Sequence, residues 1–287
     1  MRFVAYRRSD RPDLRHRAMG VVIGDKVAPL ADIDDFYDDL AGWKAHAATL
    51  TQGEIELAQL SLAPPVPRDA KIICAAINYR KHGAEANLPI PDFPNLFARW
   101  TSELVVDQDK VPVPLAEPDG LDWEGELAAI VGATLTDVDA ATATAGIFGY
   151  TVSNEISARA AQLRSATLST GQWALGKNPE KSAAVGSFIE TADAIDTANL
   201  AIETIVDDEV MQSGNTGDMI FSVGALVAFA SQHVTLRPGD LILTGTPDGV
   251  GLGRNPRIYM KPGTRVTVRI DGLGSITNFI VDNTHRG

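Results

Sequence analysis

The chain contains a single cysteine, Cys74, so no internal disulfide is possible and packing alone has to hold the fold, as suits a reducing compartment. Cys74 sits in an apolar run and reads as a small buried hydrophobe. No apolar stretch reaches the length of a membrane span, and the N-terminus, MRFVAYRRSDRPDLR, becomes charged too soon for a secretory signal. No run of lysine and arginine is dense enough to form a phosphate-binding stripe. With a formal net charge of -12, this argues against nucleic acid and anionic membrane as partners. Internal repeats and low-complexity segments are missing too. The expected compartment is the cytoplasm. What is present is ordinary for a globular protein: 287 residues, 45% hydrophobic and 22% charged, enough for one large domain or a medium one with a small appendage.

Short apolar runs punctuated by Gly, Pro and Asp dominate the chain. Residues 3–6, 20–23 and 27–30 read as strands, the last two joined by a Gly24-Asp25 turn. The polar, alanine-rich stretch 32–60 predicts helix. Leu62-Ala63-Pro64-Pro65-Val66-Pro67 ends it, since proline fits neither a helix interior nor a central strand. A domain boundary is therefore expected near residue 66, with a small β-containing N-terminal domain over 1–66 and a larger domain over 67–287. Within the latter, runs at 71–77, 127–131, 149–152, 201–206, 240–244, 265–270 and 276–281 have the length and Val, Ile or Thr content of strands. One further helix is expected over 218–231, where Ile220, Val223, Val227 and Ala230 recur at helical spacing. Many strands and few helices predict a β-rich α+β fold.

Glu124 and Glu126 open one of the apolar runs. Residues two apart on a strand share a face, so both carboxylates aim at one place. Like charges at the mouth of a buried strand are costly to desolvate unless a cation neutralises them. Hard oxygen donors of this kind suit Mg²⁺, Mn²⁺ or Ca²⁺. Spacing alone equally allows a solvated strand end. Glu155 ends another apolar run and supplies a candidate third acid, with Arg159 and Gln162 close behind it.

The order of these pieces resembles the fumarylacetoacetate hydrolase family. The motifs are Asn78-Tyr79-Arg80-Lys81-His82-Gly83-Ala84-Glu85, the Glu124/Glu126 pair, Gly149-Tyr150 through Arg159 and Gln162, Gly176-Lys177, and Gln212 with Asn215-Thr216. Last comes the stretch from Leu236 to Gly251 that contains Thr244-Gly245-Thr246-Pro247. The likeness covers residues 71–282. It implies a mixed β-roll around one divalent ion, usually Mg²⁺, in a homodimer acting on a small 2-oxo acid, work often placed in aromatic catabolism. Members hydrolyse carbon–carbon bonds of β-diketo acids, and relatives decarboxylate oxaloacetate-like acids or isomerise unsaturated oxo acids. All of these reactions pass through an enolate.

Carried over residue by residue, the resemblance assigns Glu124, Glu126 and Glu155 to the metal and His82 with Glu85 to activation of water. Lys177 polarises the substrate and steadies the enolate, and Arg159, Gln162 and Thr246 bind the substrate. His16, His46, His233 and His285 have no comparable company and are read as structural. Residues 86–94 and 97–100 are expected to cover the substrate and set specificity. Three departures stand out: Glu155 and Ala160 each replace a usual aspartate, and Lys177 is followed by Asn178-Pro179-Glu180-Lys181 rather than a Ser-Phe-Asp run. The leading expectation is hydrolysis of an acylpyruvate or fumarylpyruvate type of substrate. A decarboxylase or isomerase on the same scaffold is the alternative, and a non-catalytic ligand-binding relative is a more remote one.

Overall fold

The computed structural model describes residues 1–8, 16–164 and 171–285. The chain opens with the antiparallel strands β1 (Arg2–Arg7), β2 (Arg17–Ile23) and β3 (Lys26–Asp32). Helices α1 (Ile33–Asp38) and α2 (Leu40–Ala47) follow. The single helix expected over 32–60 is therefore two short ones that end at residue 47. Asp39 interrupts it: the residue leaves helical geometry at φ -131°, and its side chain accepts from Gly42 N to start α2 afresh. Further on, pairing with the sheet overrides helix propensity, giving β4 (Ile55–Glu56) against β3 and β5 (Ser61–Leu62) against β1.

Next come β6 (Ile72–Ala76), α3 (Arg80–Glu85), β7 (Asn95–Arg99), β8 (Leu104–Val105), β9 (Lys110–Pro112) and β10 (Gly125–Val131). Then α4 (Ala140–Ala145) leads into β11 (Ile147–Glu155), followed by α5 (Arg159–Leu163) and α6 (Trp173–Gly176). The remainder comprises β12 (Ala183–Val185), β13 (Phe188–Thr191), β14 (Ala201–Val206), β15 (Glu209–Asn215) and α7 (Val223–Ser231). Three strands close the chain: β16 (Leu241–Leu243), β17 (Arg265–Ile270) and β18 (Gly274–Val281). Helix α7 starts five residues later than expected. Asn78 ties down the preceding segment, accepting from Ile220 N through its carbonyl (2.7 Å) and from Phe221 N through its side chain (2.8 Å). Ser222 then caps the helix by accepting from Ala225 N.

Two sheets result. The large mixed sheet has thirteen strands, its main path running β4-β3-β2-β1-β13-β11-β10-β16-β6-β7, and the small one runs β15-β14-β17-β18-β9. Leu127, Ala129 and Val131 of β10 meet Val266, Val268 and Ile270 of the small sheet in one apolar core. Residues of the opposite parity, Ala128 and Ile130, join Phe3, Phe36 and Phe148 on the other face. Burial on both faces explains why β10 reads as an unbroken apolar run. The N-terminal strands extend this same sheet, since β1 pairs with β13 and the Phe3 ring lies 5.3 Å from that of Phe148. Among the described residues, no helix is long and apolar enough to cross a membrane.

Candidate active site

The register of β10 against β11 assembles the carboxylates. Gly125 faces Asn154 and Glu126 faces Ser153, and one step further Glu155 N donates to Glu124 O at 2.8 Å. Residues opposed across an antiparallel pair share a face, so Glu124, Glu126 and Glu155 all project to the side away from the small sheet. All three are buried, and one oxygen from each lies within 4.8 Å of the others. The residue between the two strand glutamates touches the other sheet. A Cβ on Gly125 would fall 2.4 Å from Thr204 Oγ1 and 3.0 Å from Val268 Cγ1, so only glycine lets the sheets close here.

Three buried cations surround the cluster. Lys177, directly after α6, donates to both Glu124 oxygens (2.9 and 2.8 Å) and to Glu155 Oε2 (2.8 Å). Its approach depends on Gly176, where a Cβ would sit 2.4 Å from Gln162 Cβ of α5. Arg159, at the start of α5, donates through Nε to Asp122 Oδ2 (2.8 Å), through one terminal nitrogen to Gln162 Oε1 (2.6 Å) and through the other to Glu124 Oε1. Arg99 lies 3.8 Å from Glu155 Oε1.

Electrostatics divides the three acids. Burial opposes ionisation of Glu124, but Lys177 and Arg159 outweigh it and hold the carboxyl below its usual range. Burial, together with the neighbouring Glu155 and Glu124 charges, pushes Glu126 well up. Glu155 is raised by burial despite Lys177. Two carboxylate oxygens, Glu126 Oε1 and Glu155 Oε1, are buried without a hydrogen-bond partner. Orphaned anionic oxygens beside a fully ligated third carboxylate are what a hard divalent cation would satisfy, so the residues fit such an ion. The extra methylene of Glu155 leaves it within the cluster, and the departure from aspartate does not break the set.

A cavity of about 50 Å³ adjoins the cluster, and His82, Glu124, Glu155, Arg159, Gln162 and Lys177 are in its wall. His82 stands on α3, where the i, i+3 spacing brings its Nδ1 to 3.0 Å from Glu85 Oε2. The other Glu85 oxygen accepts from Gly249 N at 3.0 Å. These bonds outweigh the cost of burial and lower the Glu85 carboxyl pKa. With Glu85 ionised, Nδ1 carries the proton and Nε2 is the basic nitrogen. Thr246 also lines the cavity, though its hydroxyl already donates to Gly125 O (2.9 Å) and accepts from Gln212 Nε2 (2.8 Å). Of the remaining histidines, His46 pairs edge-on with Trp43 and His233 with Phe229, away from the site. The side chain of His285 lies outside the described residues.

Residue types and spacing pointed to most of these groups, named Gln212 in a motif without a role, placed Arg99 within the segment 97–100 over the substrate, and missed Asp122. Asp122 accepts from Arg159 Nε, Trp123 N, Gly251 N and Leu252 N, coupling the arginine to the loop after Thr246. Its position two before Glu124 was a legible signal of a shared face. Gln212, on β15, accepts from Gly125 N and Thr204 Oγ1 and donates to Thr246 Oγ1 and Pro247 O, using its full capacity. Arg99 comes from an edge strand that no pattern had suggested.

Fold and cluster together point to a class: enzymes with buried carboxylates, fit to hold a divalent cation, at the ends of two neighbouring strands. Residues 71–281 match the fumarylacetoacetate (FAA) hydrolase C-terminal family, and the chain belongs to it. Its relatives include the Homo sapiens protein oxaloacetate tautomerase FAHD2A, mitochondrial, which is 39% identical over 224 residues, 78% of this chain and 70% of that protein. Among solved structures, maleylpyruvate hydrolase from Sphingobium sp. SYK-6 superposes with a TM-score of 0.79 at 30% identity, covering 99% of this chain and 100% of that one. Fumarylpyruvate hydrolase from Pseudomonas aeruginosa, in complex with Mn²⁺ and pyruvate, gives 0.68 at 27% identity, covering 76% and 91%. Enzymes of this family include both hydrolases and isomerases.

Proposed function

We propose that the chain hydrolyses a carbon–carbon bond in a β-diketo acid of the acylpyruvate or fumarylpyruvate type, through an enolate. The observation that carries this reading is the His82–Glu85 pair, 3.0 Å apart, with His82 opening onto the same cavity as the carboxylates. Glu124, Glu126 and Glu155 would hold a divalent cation, Mg²⁺ in this reading with Mn²⁺ or Ca²⁺ able to substitute, and when bound it would supply Lewis-acid stabilisation of negative charge on the substrate. His82 takes a proton from water as its oxygen adds to the outer carbonyl carbon. The bond from that carbon to the central methylene then breaks, its electron pair passes into the pyruvate fragment, and the proton on His82 goes to the methylene carbon. Glu85 keeps the imidazole oriented and steadies its transient charge. Lys177 offsets negative charge on the departing enolate, Arg159 and Gln162 orient the substrate carboxylate, and Thr246 shapes the cavity end.

A second reading, keto–enol isomerisation without addition of water, is favoured by the 39% identity to a protein named oxaloacetate tautomerase. Turnover in H₂¹⁸O separates the two. Hydrolysis puts ¹⁸O into the product acid and releases pyruvate from an acylpyruvate. If neither occurs while oxaloacetate is still tautomerised, the isomerase reading prevails.

The same proposal takes the chain as a cytoplasmic homodimer, with a small N-terminal domain (1–66) against a β-roll catalytic domain (67–287). The single buried thiol supports the reducing compartment, and the family match beginning at residue 71 supports the boundary. Exposed Ile90, Phe93 and Leu115 support a partner surface, which sedimentation would test.

A further inference from the structure

The catalytic cavity has an apolar lining as well as a polar one: Ala75, Ala76, Ile77, Phe97 and Trp173 all reach it. These side chains come from neighbouring elements. Ala75 and Ala76 end β6, Phe97 lies opposite Cys74 on the paired strand β7, and the Phe97 ring meets that of Trp173 on α6 at 5.1 Å between centroids. The Lys177 ammonium is 5.3 Å from the centre of the Phe97 ring, so polar and apolar linings join there. Ile77 is held at φ 53°, in the left-handed region that a β-branched residue rarely enters. Its neighbour Asn78 clamps it there, with Nδ2 donating to Phe221 O (3.0 Å) and Thr244 O (2.8 Å) and Oδ1 accepting from Phe221 N (2.8 Å). Strain of this kind persists at sites where a side chain has work to do. The Ile77 Cγ2 methyl faces Gly83, where a Cβ would stand 3.4 Å away, so isoleucine packs against the helical turn that carries His82.

Resting on the hydrolytic reading above, we infer that Ile77, Phe97 and Trp173 receive the acyl tail of the substrate, and that this tail is uncharged and apolar rather than ending in a second carboxylate. The water activated by His82 adds to the carbon that bears the tail, which places the tail beside His82 and therefore beside Ile77. Among the described residues, the permanent cations in the cavity wall are Arg159 and Lys177, and both are bound to the carboxylate cluster, at the pyruvate end. A carboxylate at the far end of the tail would lose its water against apolar side chains with no cation to meet it. An alkyl tail gains from the same surroundings.

The test is steady-state hydrolysis by the full chain, with Mn²⁺ supplied, of 4-methylpentanoylpyruvate, succinylpyruvate and fumarylpyruvate. The first two tails match in shape and differ in charge. The parent should favour 4-methylpentanoylpyruvate in kcat/KM by about tenfold or more over either dicarboxylate. Ile77→Gly suits the left-handed backbone, so the fold is kept, and it should cut that preference by about tenfold, chiefly through a higher KM for the apolar substrate. Ile77→Lys sets a cation beside the tail and should move the ratio towards succinylpyruvate by a similar factor. A parent that cleaves succinylpyruvate or fumarylpyruvate as well as or better than the apolar substrate overturns this inference and leaves the hydrolytic reading standing. A preference unmoved in both variants overturns it too. Failure to cleave any of the three removes the hydrolytic reading, and this inference with it.

Discussion

The carboxylate cluster and the His82–Glu85 pair meet at one cavity but are built in different ways. The cluster is a product of ladder register: Glu124 and Glu155 face each other across two central strands, almost fully buried and clasped by Lys177. The pair rides on a six-residue helix beside the exposed residues Leu88, Ile90 and Phe93, with side chains 13% and 18% exposed. Its tie to the rest of the site is the Gly249 N–H and the close packing of Gly253 on the Glu85 carboxylate. Cation affinity and water activation should therefore come apart under mutation, because a rigid sheet carries one and a peripheral turn the other.

The most severe break in that contrast comes from Glu126→Gln. The amide can still accept from Gly245 N, so the fold is kept, but the anionic oxygens are lost. Mn²⁺ affinity by calorimetry should fall by more than the roughly 100-fold that loss of an outer-sphere partner costs, and turnover should go with it. An unchanged affinity would remove the cluster as the cation site. His82→Ala comes next. The hydrolytic rate should drop by about 10²–10⁴ while Mn²⁺ binds as before. Parallel loss of both would show that the two regions are one unit after all.

Gln212→Ala addresses how the sheet side is held. It strands Gly125 N and Thr204 Oγ1 in the core, and urea unfolding should report a loss of about 1–3 kcal/mol for each group left unpaired. Glu85→Gln is the smallest effect. The Glu85 carboxyl pKa is depressed in the folded state, so its stabilisation is complete above the unfolded value of about 4.3 and fades as pH falls through the folded value. Parent and Glu85→Gln melting temperatures should differ at neutral pH and draw together as pH falls below the unfolded value of about 4.3. Divergence on acidification would reverse the sign of this argument.

Much of both sheets was legible because their strands keep short apolar runs between Gly, Pro and Asp, and 201–206 and 265–270 of the small sheet come out at those very bounds. Period-two spacing likewise indicated that Glu124 and Glu126 share a face. Pairing was not legible. Nothing local says that Gly125 meets Asn154, and without that register Glu155 is one acid among many. The helix expected over 32–60 failed for a similar reason, since Ile55 and Glu56 answer to β3 rather than to their own propensity. Asp122 was overlooked although it obeys the same alternation as the two glutamates, because its partners Gly251 and Leu252 come from far along the chain.

Gly125 limits how this site can change over evolutionary time. Any side chain there would have to occupy space held by Thr204 and Val268 on the opposite sheet, so a one-step replacement between the two glutamates is closed off. A lineage can cross that position only by first thinning the small sheet at 204 and 268. The spacing of the two strand acids is thus inherited jointly with residues that never touch a ligand.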